Sequence, residues 1–188
     1  MNDQLLIEQV YSKIYESTSV LIPRRSAEER QKNYQIALQK QLQEYIKNGS
    51  VGDLDLRDTP ITSLPEGLKV GGNLYLSNTS ITSLPKGLIV GNYLDLYNTR
   101  RLNSLPEGLK VRGDLNLSQS SITSLPEGLV VSGDLSLYKS NITKLPRNLT
   151  VGGNLDFEDT ILSQKAELYH TKEQLKQMLP NVKGEILF

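Results

Sequence analysis

The sequence predicts an α/β repeat fold. Its coils stack one parallel sheet of about six short strands, with a helical cap at the N-terminal end and a small helical cap at the C-terminal end. Three observations carry this expectation. A unit of 20 residues recurs between residues 51 and 162; each unit carries an L-x-L pair followed by Leu-Pro; and both ends lack the repeat and have helical spacing instead.

The unit is plain in VGGNLYLSNTSITSLPKGLI from Val70, VRGDLNLSQSSITSLPEGLV from Val111 and VSGDLSLYKSNITKLPRNLT from Val131. The copy from Val90 has 21 residues because it carries Arg100-Arg101, which bulges one coil as a loop insertion. A truncated copy opens at Val51 and a final one at Val151. Like positions form columns. Leu54, Leu74, Leu94, Leu115, Leu135 and Leu155 make the first, and Leu56, Leu76, Leu96, Leu117, Leu137 and Phe157 the second. A single coil cannot bury such an edge, so stability has to come from stacking on its neighbours. The L-x-L spacing puts both leucines on one face of a strand. Stacked strands run parallel about 4.8 Å apart, so six span about 25 Å. The Leu-Pro step forbids a regular helix on the return, and the glycines before each strand supply tight turns.

The domain division that follows is 1–50 as a helical N-terminal cap and possible docking element, 51–162 as the solenoid and 163–188 as the C-terminal cap. Leu5, Leu6, Val10 and Ile14 form an apolar stripe that Ile22-Pro23 breaks. Ser26 with Glu29 reads as a capping box opening a second helix, which Asn48-Gly49 ends. Thr171 with Gln174 reads as another capped helix running to about Met178, and Val182 to Phe188 as a short strand.

The wording L-x-L-x-x-(T/S)-x-I-x-x-L-P-x-x-L resembles the short bacterial class of leucine-rich repeat. It is similar to the repeat regions of type III secreted effectors and to repeats of phage-encoded proteins. The resemblance covers about residues 51–162 and implies a leucine-rich-repeat solenoid. That family has Asn after L-x-L, its amide bonding backbone of adjacent coils. Here Thr59, Thr79, Thr99, Ser120, Ser140 and Thr160 stand there, which is expected to make a substitute hydroxyl ladder. The ubiquitin-ligase members of the effector group need a catalytic cysteine, which this chain lacks.

Composition narrows function further. There is no cysteine and one histidine, His170, which excludes thiolate metal sites, cysteine nucleophiles and multi-histidine sites. No carboxylate pair is marked out as an acid and base, so no catalytic residue, metal or cofactor is expected and the chain is read as not an enzyme. The start MNDQLLIEQVYSKIYE lacks the pattern of a secretory signal, and no apolar run approaches a membrane span, so a cytoplasmic setting without membrane contact is expected.

The chain is neutral, with 21 basic and 21 acidic residues. The strand face predicted to point outward is not. Its four columns hold Asp53, Asp55, Asp58, Asp95, Asp114, Asp134, Asp156, Glu158 and Asp159 against Arg57 and Lys139, a net of −7. Lys69, Lys86, Lys110, Arg112, Lys144 and Arg147 fall on the return loops. The column before the first leucine reads as turn residues. Tyr75, Tyr93, Tyr97 and Tyr138 read as interface anchors on a concave face. The candidate partner-binding residues are therefore Tyr75, Tyr93, Tyr97, Tyr138, Asp55, Asp95, Asp156 and Glu158. A protein partner with a basic surface is expected, and nucleic acid is not, because the face repels phosphate. The leading expectation is a phage or mobile-element inhibitor of a host or defence factor. The alternatives are a secreted effector acting on a eukaryotic protein and a structural, virion-associated protein.

Overall fold

Two leucines separated by one residue lie on the same side of an extended backbone, and every coil of the structure uses that alternation. The computed structural model describes residues 26–169 and 171–188. The expected stripe of Leu5, Leu6, Val10 and Ile14, the break at Ile22-Pro23 and His170 lie outside those residues. The chain divides into two compact units, one up to Gln39 and one from Lys40 to Phe188. The second contains a parallel-strand β-solenoid of stacked coils.

The L-x steps form β1 (Leu54–Asp55), β3 (Leu74–Tyr75), β5 (Leu94–Asp95), β7 (Leu115–Asn116), β9 (Leu135–Ser136) and β11 (Leu155–Asp156). They pair in sequence, all parallel, with Leu54 opposite Leu74 and Tyr75 opposite Asp95. The C-terminal segment adds a seventh strand, β12 (Ile186–Leu187), against β11. A second sheet, beyond the one the repeat announces, stacks β2 (Lys69–Val70), β4 (Ile89–Val90), β6 (Lys110–Val111), β8 (Val130–Val131) and β10 (Thr150–Val151). Its valines point inward: Val70, Val90, Val111, Val131 and Val151 are at most 2% exposed. β-Branched residues fit such a pleated, half-buried step well.

The leucine columns are buried as the repeat requires, with Leu74, Leu94 and Leu102 at 0% exposure. At about 25 cal/mol per Å² of apolar surface removed from water, these ladders are the main source of stability. One column runs out before the others. Leu64, Leu84, Leu105 and Leu125 are buried, but Leu145, the last of them, is half-buried because no further coil covers it.

The coils turn by a backbone device that repeats as strictly as the leucines. Asp58, Asn78, Asn98, Gln119, Lys139 and Asp159 all have φ between +54° and +58°. Asn and Asp tolerate this left-handed region best, and four of these six positions hold Asn or Asp through Asn98 and at Asp159. The hydroxyl column behaves differently from the expected ladder between coils. Thr59, Thr79, Thr99, Ser120 and Thr160 each donate to the carbonyl three residues earlier in their own coil, at 2.6–2.7 Å. Hydroxyls reach the neighbouring coil at another column instead, where Thr82 Oγ1 donates to the Thr62 carbonyl and Thr143 Oγ1 to that of Thr123, both at 3.2 Å.

Beside the backbone bonds of the two sheets, a side-chain-to-backbone ladder between coils runs along the column before the first leucine. Asp53 Oδ1 accepts the Asn73 N–H at 2.7 Å, Asn73 Oδ1 that of Tyr93 at 3.1 Å, and Asp114 Oδ1 that of Asp134 at 2.8 Å. Asp134 Oδ1 accepts from Asn154 at 2.7 Å, and Asn154 Oδ1 from Glu185 at 2.9 Å. A shorter side-chain ladder joins Asp58, Asn78 and Asn98 along the left-handed turns.

Helix α1 (Ala27–Lys47) opens on the expected capping box, with Ser26 Oγ accepting the Glu29 N–H and Glu29 Oε2 the Ser26 N–H, both at 3.1 Å. It ends before Gly49, at φ +82°. Tyr45 Oη lies 3.0 and 2.9 Å from the carbonyls of Ser50 and Gly52, fixing the chain as it leaves the helix. After the last repeat, α2 (Ile161–Tyr169) is a helix the repeat pattern does not announce. Thr160 is its N-cap: its hydroxyl accepts the Ser163 N–H at 3.0 Å while its own N–H goes to Ser163 Oγ. Helix α3 (Lys172–Met178) opens on the expected Thr171–Gln174 capping box. Phe188 then stacks on Phe157, with centroids 5.8 Å apart.

Candidate functional site

The first sheet orders its outward side chains by coil. The column Asp55, Tyr75, Asp95, Asn116, Ser136, Asp156 follows directly from the strand register. Two residues further on stand Arg57, Ser77, Tyr97, Ser118, Tyr138 and Glu158, on the same side of the chain. Seven of the eight candidate residues therefore belong to these two columns, and Tyr93 precedes Asp95 by two.

Of the nine acids in the predicted patch, five have a structural duty. Asp53, Asp114 and Asp134 carry the ladder between coils. Asp58 and Asp159 occupy left-handed turns rather than the sheet face. The remaining four, Asp55, Asp95, Asp156 and Glu158, are the acids of the sheet face proper. Three of these also shape backbone: Asp55, Asp95 and Asp156 each accept on Oδ1 the N–H two residues later, at 3.0–3.1 Å. Asn116 does the same for Ser118.

The tyrosines do not form one cluster. Tyr75 and Tyr93 meet edge to face, with centroids 5.9 Å apart and planes at 72°. Asn116 Nδ2 ties this pair to the neighbouring carboxylate, donating to Tyr93 Oη at 3.2 Å and to Asp95 Oδ1 at 3.1 Å. Burial pushes the Tyr93 phenol above its usual range, and the nearby Asp95 charge adds to the rise. Tyr97 stands between Ser77 and Ser118, which are buried to 7% and 8% exposure. Tyr138 lies further along, beside Lys139.

Residue spacing alone does not reveal that the face already holds cations. Arg57 grips Asp55 through Nε at 2.9 Å and Nη2 at 2.5 Å, and its guanidinium carbon lies 4.9 Å from the centre of the Tyr75 ring. The arginine holds the Asp55 carboxyl below its ordinary range. Lys139 Nζ lies 4.9 Å from the Tyr138 ring centre and 3.8 Å from Asp159. A second row of side-chain bonds crosses three coils, from Ser118 Oγ to Ser136 Oγ at 2.8 Å and from Ser136 Oγ to Asp156 Oδ2 at 3.3 Å. Lys69 and Lys110 point outward from the second sheet instead.

A separate cleft of about 290 Å³ opens where the Leu145 column ends, lined by Leu145, Pro146, Phe157, Leu162, Leu175 and Leu179 with Lys144, Arg147 and Lys165 among its other walls. Among the described residues, no three His, Asp or Glu side chains are arranged to hold a metal ion, and no helix is long and apolar enough to cross a membrane. No protein-family model, curated protein or solved structure matches the chain.

Proposed function

We propose that the chain is a non-enzymatic protein-interaction module of the leucine-rich-repeat kind, and that it binds a basic surface of a partner protein through the outward face of its first sheet. The observation that carries this reading is that the face already binds cations of its own chain. Arg57 sits on Asp55 and Tyr75, and at the edge of the face Lys139 reaches from its turn to lie beside Tyr138 and near Asp159 of the next turn. Aromatic rings next to fixed carboxylates are the chemistry that recognises arginine and lysine at interfaces. The sheet beneath is hydrogen-bonded coil to coil, so the anchors are held in place before a partner arrives, which lowers the entropic cost of binding. A cytosolic role as a phage or mobile-element inhibitor of a host or defence factor fits a small module acting by occupancy.

The test is affinity capture from a bacterial lysate, comparing wild type with Tyr75→Ala/Tyr97→Ala/Tyr138→Ala. The reading expects a partner with a basic surface that wild type retains and the still-folded triple variant loses. Retention by the variant moves binding off this face and sinks the reading.

A further inference from the structure

The outward face repeats one arrangement twice, and only one copy is filled. In the first coil, Asp55 accepts the N–H of residue 57 on Oδ1, and the residue in register on the next coil is Tyr75. An arginine from the same chain occupies this frame, its guanidinium on both carboxylate oxygens and over the ring. Two coils on, Asp95 accepts the N–H of residue 97 on Oδ1 in the same way. Its register partner in the preceding coil is again Tyr75, and its neighbour on the other side is Asn116. Here residue 97 is tyrosine, so this coil supplies no cation of its own, and Arg57 on the first coil reaches Asp95 through its charge alone.

We propose that Asp95, with Tyr75, Tyr93 and Tyr97 around it, is a subsite for one arginine side chain of a protein partner. The proposal rests on the interface reading above and names the group that reading leaves open. Asp95 is half-buried, and its Oδ1 accepts from Tyr97 N at 3.0 Å and from Asn116 Nδ2 at 3.1 Å, with the Tyr93 hydroxyl also interacting with this carboxylate. Oδ2 takes neither of the Tyr97 and Asn116 bonds and is the oxygen an incoming donor would meet. The Tyr75 and Tyr93 rings stand nearly perpendicular beside it, and Asn116 locks the Tyr93 hydroxyl to the same carboxylate. A planar guanidinium can bond a carboxylate edge-on while lying against an aromatic face, which a compact ammonium does less well. Asp156 offers a poorer site, because its Oδ2 already accepts from Ser136 Oγ at 3.3 Å and Glu158 replaces the tyrosine two residues on.

The experiment is an amide NMR titration of the full chain with N-acetyl-arginine amide, with the citrulline and lysine analogues as comparisons. The expected result is a saturable shift centred on the Tyr97 and Ser118 amides, absent with citrulline and weaker with lysine. Asp95→Asn keeps an acceptor for the Tyr97 N–H and should preserve the fold, yet weaken arginine binding about fivefold, the scale of one exposed charge contact. Glu66→Gln, an exposed acid at the Leu-Pro step away from this face, should leave it unchanged. Equal shifts in Asp95→Asn, equal binding of citrulline or lysine, or no saturable shift in wild type would each overturn the subsite. Once a partner is in hand the two claims separate. Partner affinity that is unchanged in Asp95→Asn but lost in the triple tyrosine variant removes the arginine subsite and keeps the interface. Capture that survives both removes the interface.

Discussion

Gly133 and Asp114 fit together only because residue 133 has no side chain. Asp114 Oδ1 occupies the place where a β-carbon would be built and, from there, accepts the Asp134 N–H at 2.8 Å. Gly153 stands in the same relation to Asp134, and Gly72 to Asp53. Gly133→Ala is therefore expected to cost about 1–3 kcal/mol, by forcing the ladder carboxylate out of position. Gly128→Ala should cost about 1 kcal/mol, since φ is +71° but nothing crowds the new methyl. Urea unfolding of both, and of Gly133→Ala/Asp114→Ala, checks the mechanism. The double variant should be less destabilised than the sum of its singles, and strict additivity would refute the steric account.

The column of leucines at the Leu-Pro step makes a graded comparison. Leu105 lies between covered coils at 7% exposure, whereas Leu145 opens onto the cleft and is half-buried. Leu105→Ala is expected to lose about 2–5 kcal/mol and Leu145→Ala at least about 1 kcal/mol less. Equal losses in chemical denaturation would mean that the cleft is closed in solution.

Ser140 is the exception in its column. Its hydroxyl is buried without a hydrogen-bond partner among the described residues, whereas Ser120 Oγ donates to the Leu117 carbonyl at 2.6 Å. Ser140→Ala should be neutral or slightly stabilising, and Ser120→Ala should cost about 1 kcal/mol. Thermal melts of the pair decide it, and a loss in Ser140→Ala as large as that in Ser120→Ala would place a bond at Ser140 after all.

The Tyr93 phenol ionises later in the folded chain than in the unfolded one, chiefly because of burial. A raised value means that the folded state holds its proton longer. The associated stability is fully present below the unfolded value of 10.0 and is lost as pH rises through the folded one. Wild type should lose stability more steeply above pH 10 than Tyr93→Phe does, with a residual slope from Tyr45, which burial also raises. Identical slopes in melts taken on either side of that pH would exclude Tyr93 as the cause.

How much of this could be read from the residues depends on how many roles each can play. A leucine column has one plausible fate, so the coils, their inward faces and the first sheet were legible. The valines of the second sheet were visible but stood beside glycines, and a two-residue strand carries too little alternation to be recognised as one. Aspartate was ambiguous for a different reason. The same carboxylate can bond the next coil, set a turn or lie on the sheet face, and only the fold sorts Asp134, Asp159 and Asp95 into those three places. Helix α2 escaped notice because its cap pairs Thr160 with Ser163 where the familiar box has Glu or Gln. In the sequence Arg57 is only a charge to set against the acids, whereas in the fold it is seated on Asp55 and over the Tyr75 ring.

The coil that carries Arg100-Arg101 is one residue longer than its neighbours, yet Leu94 still faces Leu115 and Leu102 remains fully buried. Arg100 folds back on Asn98, and its carbonyl accepts the Ser121 hydroxyl, so the surplus is stitched down beside the turn. Length added there is invisible to the sheet. The same addition between the two leucines of a strand would turn the second of them away from the core. The exposed step at Arg100 and Arg101, just past the buried Thr99, is thus the natural graft point of the scaffold, where a foreign loop can be displayed without rewriting the rungs that follow.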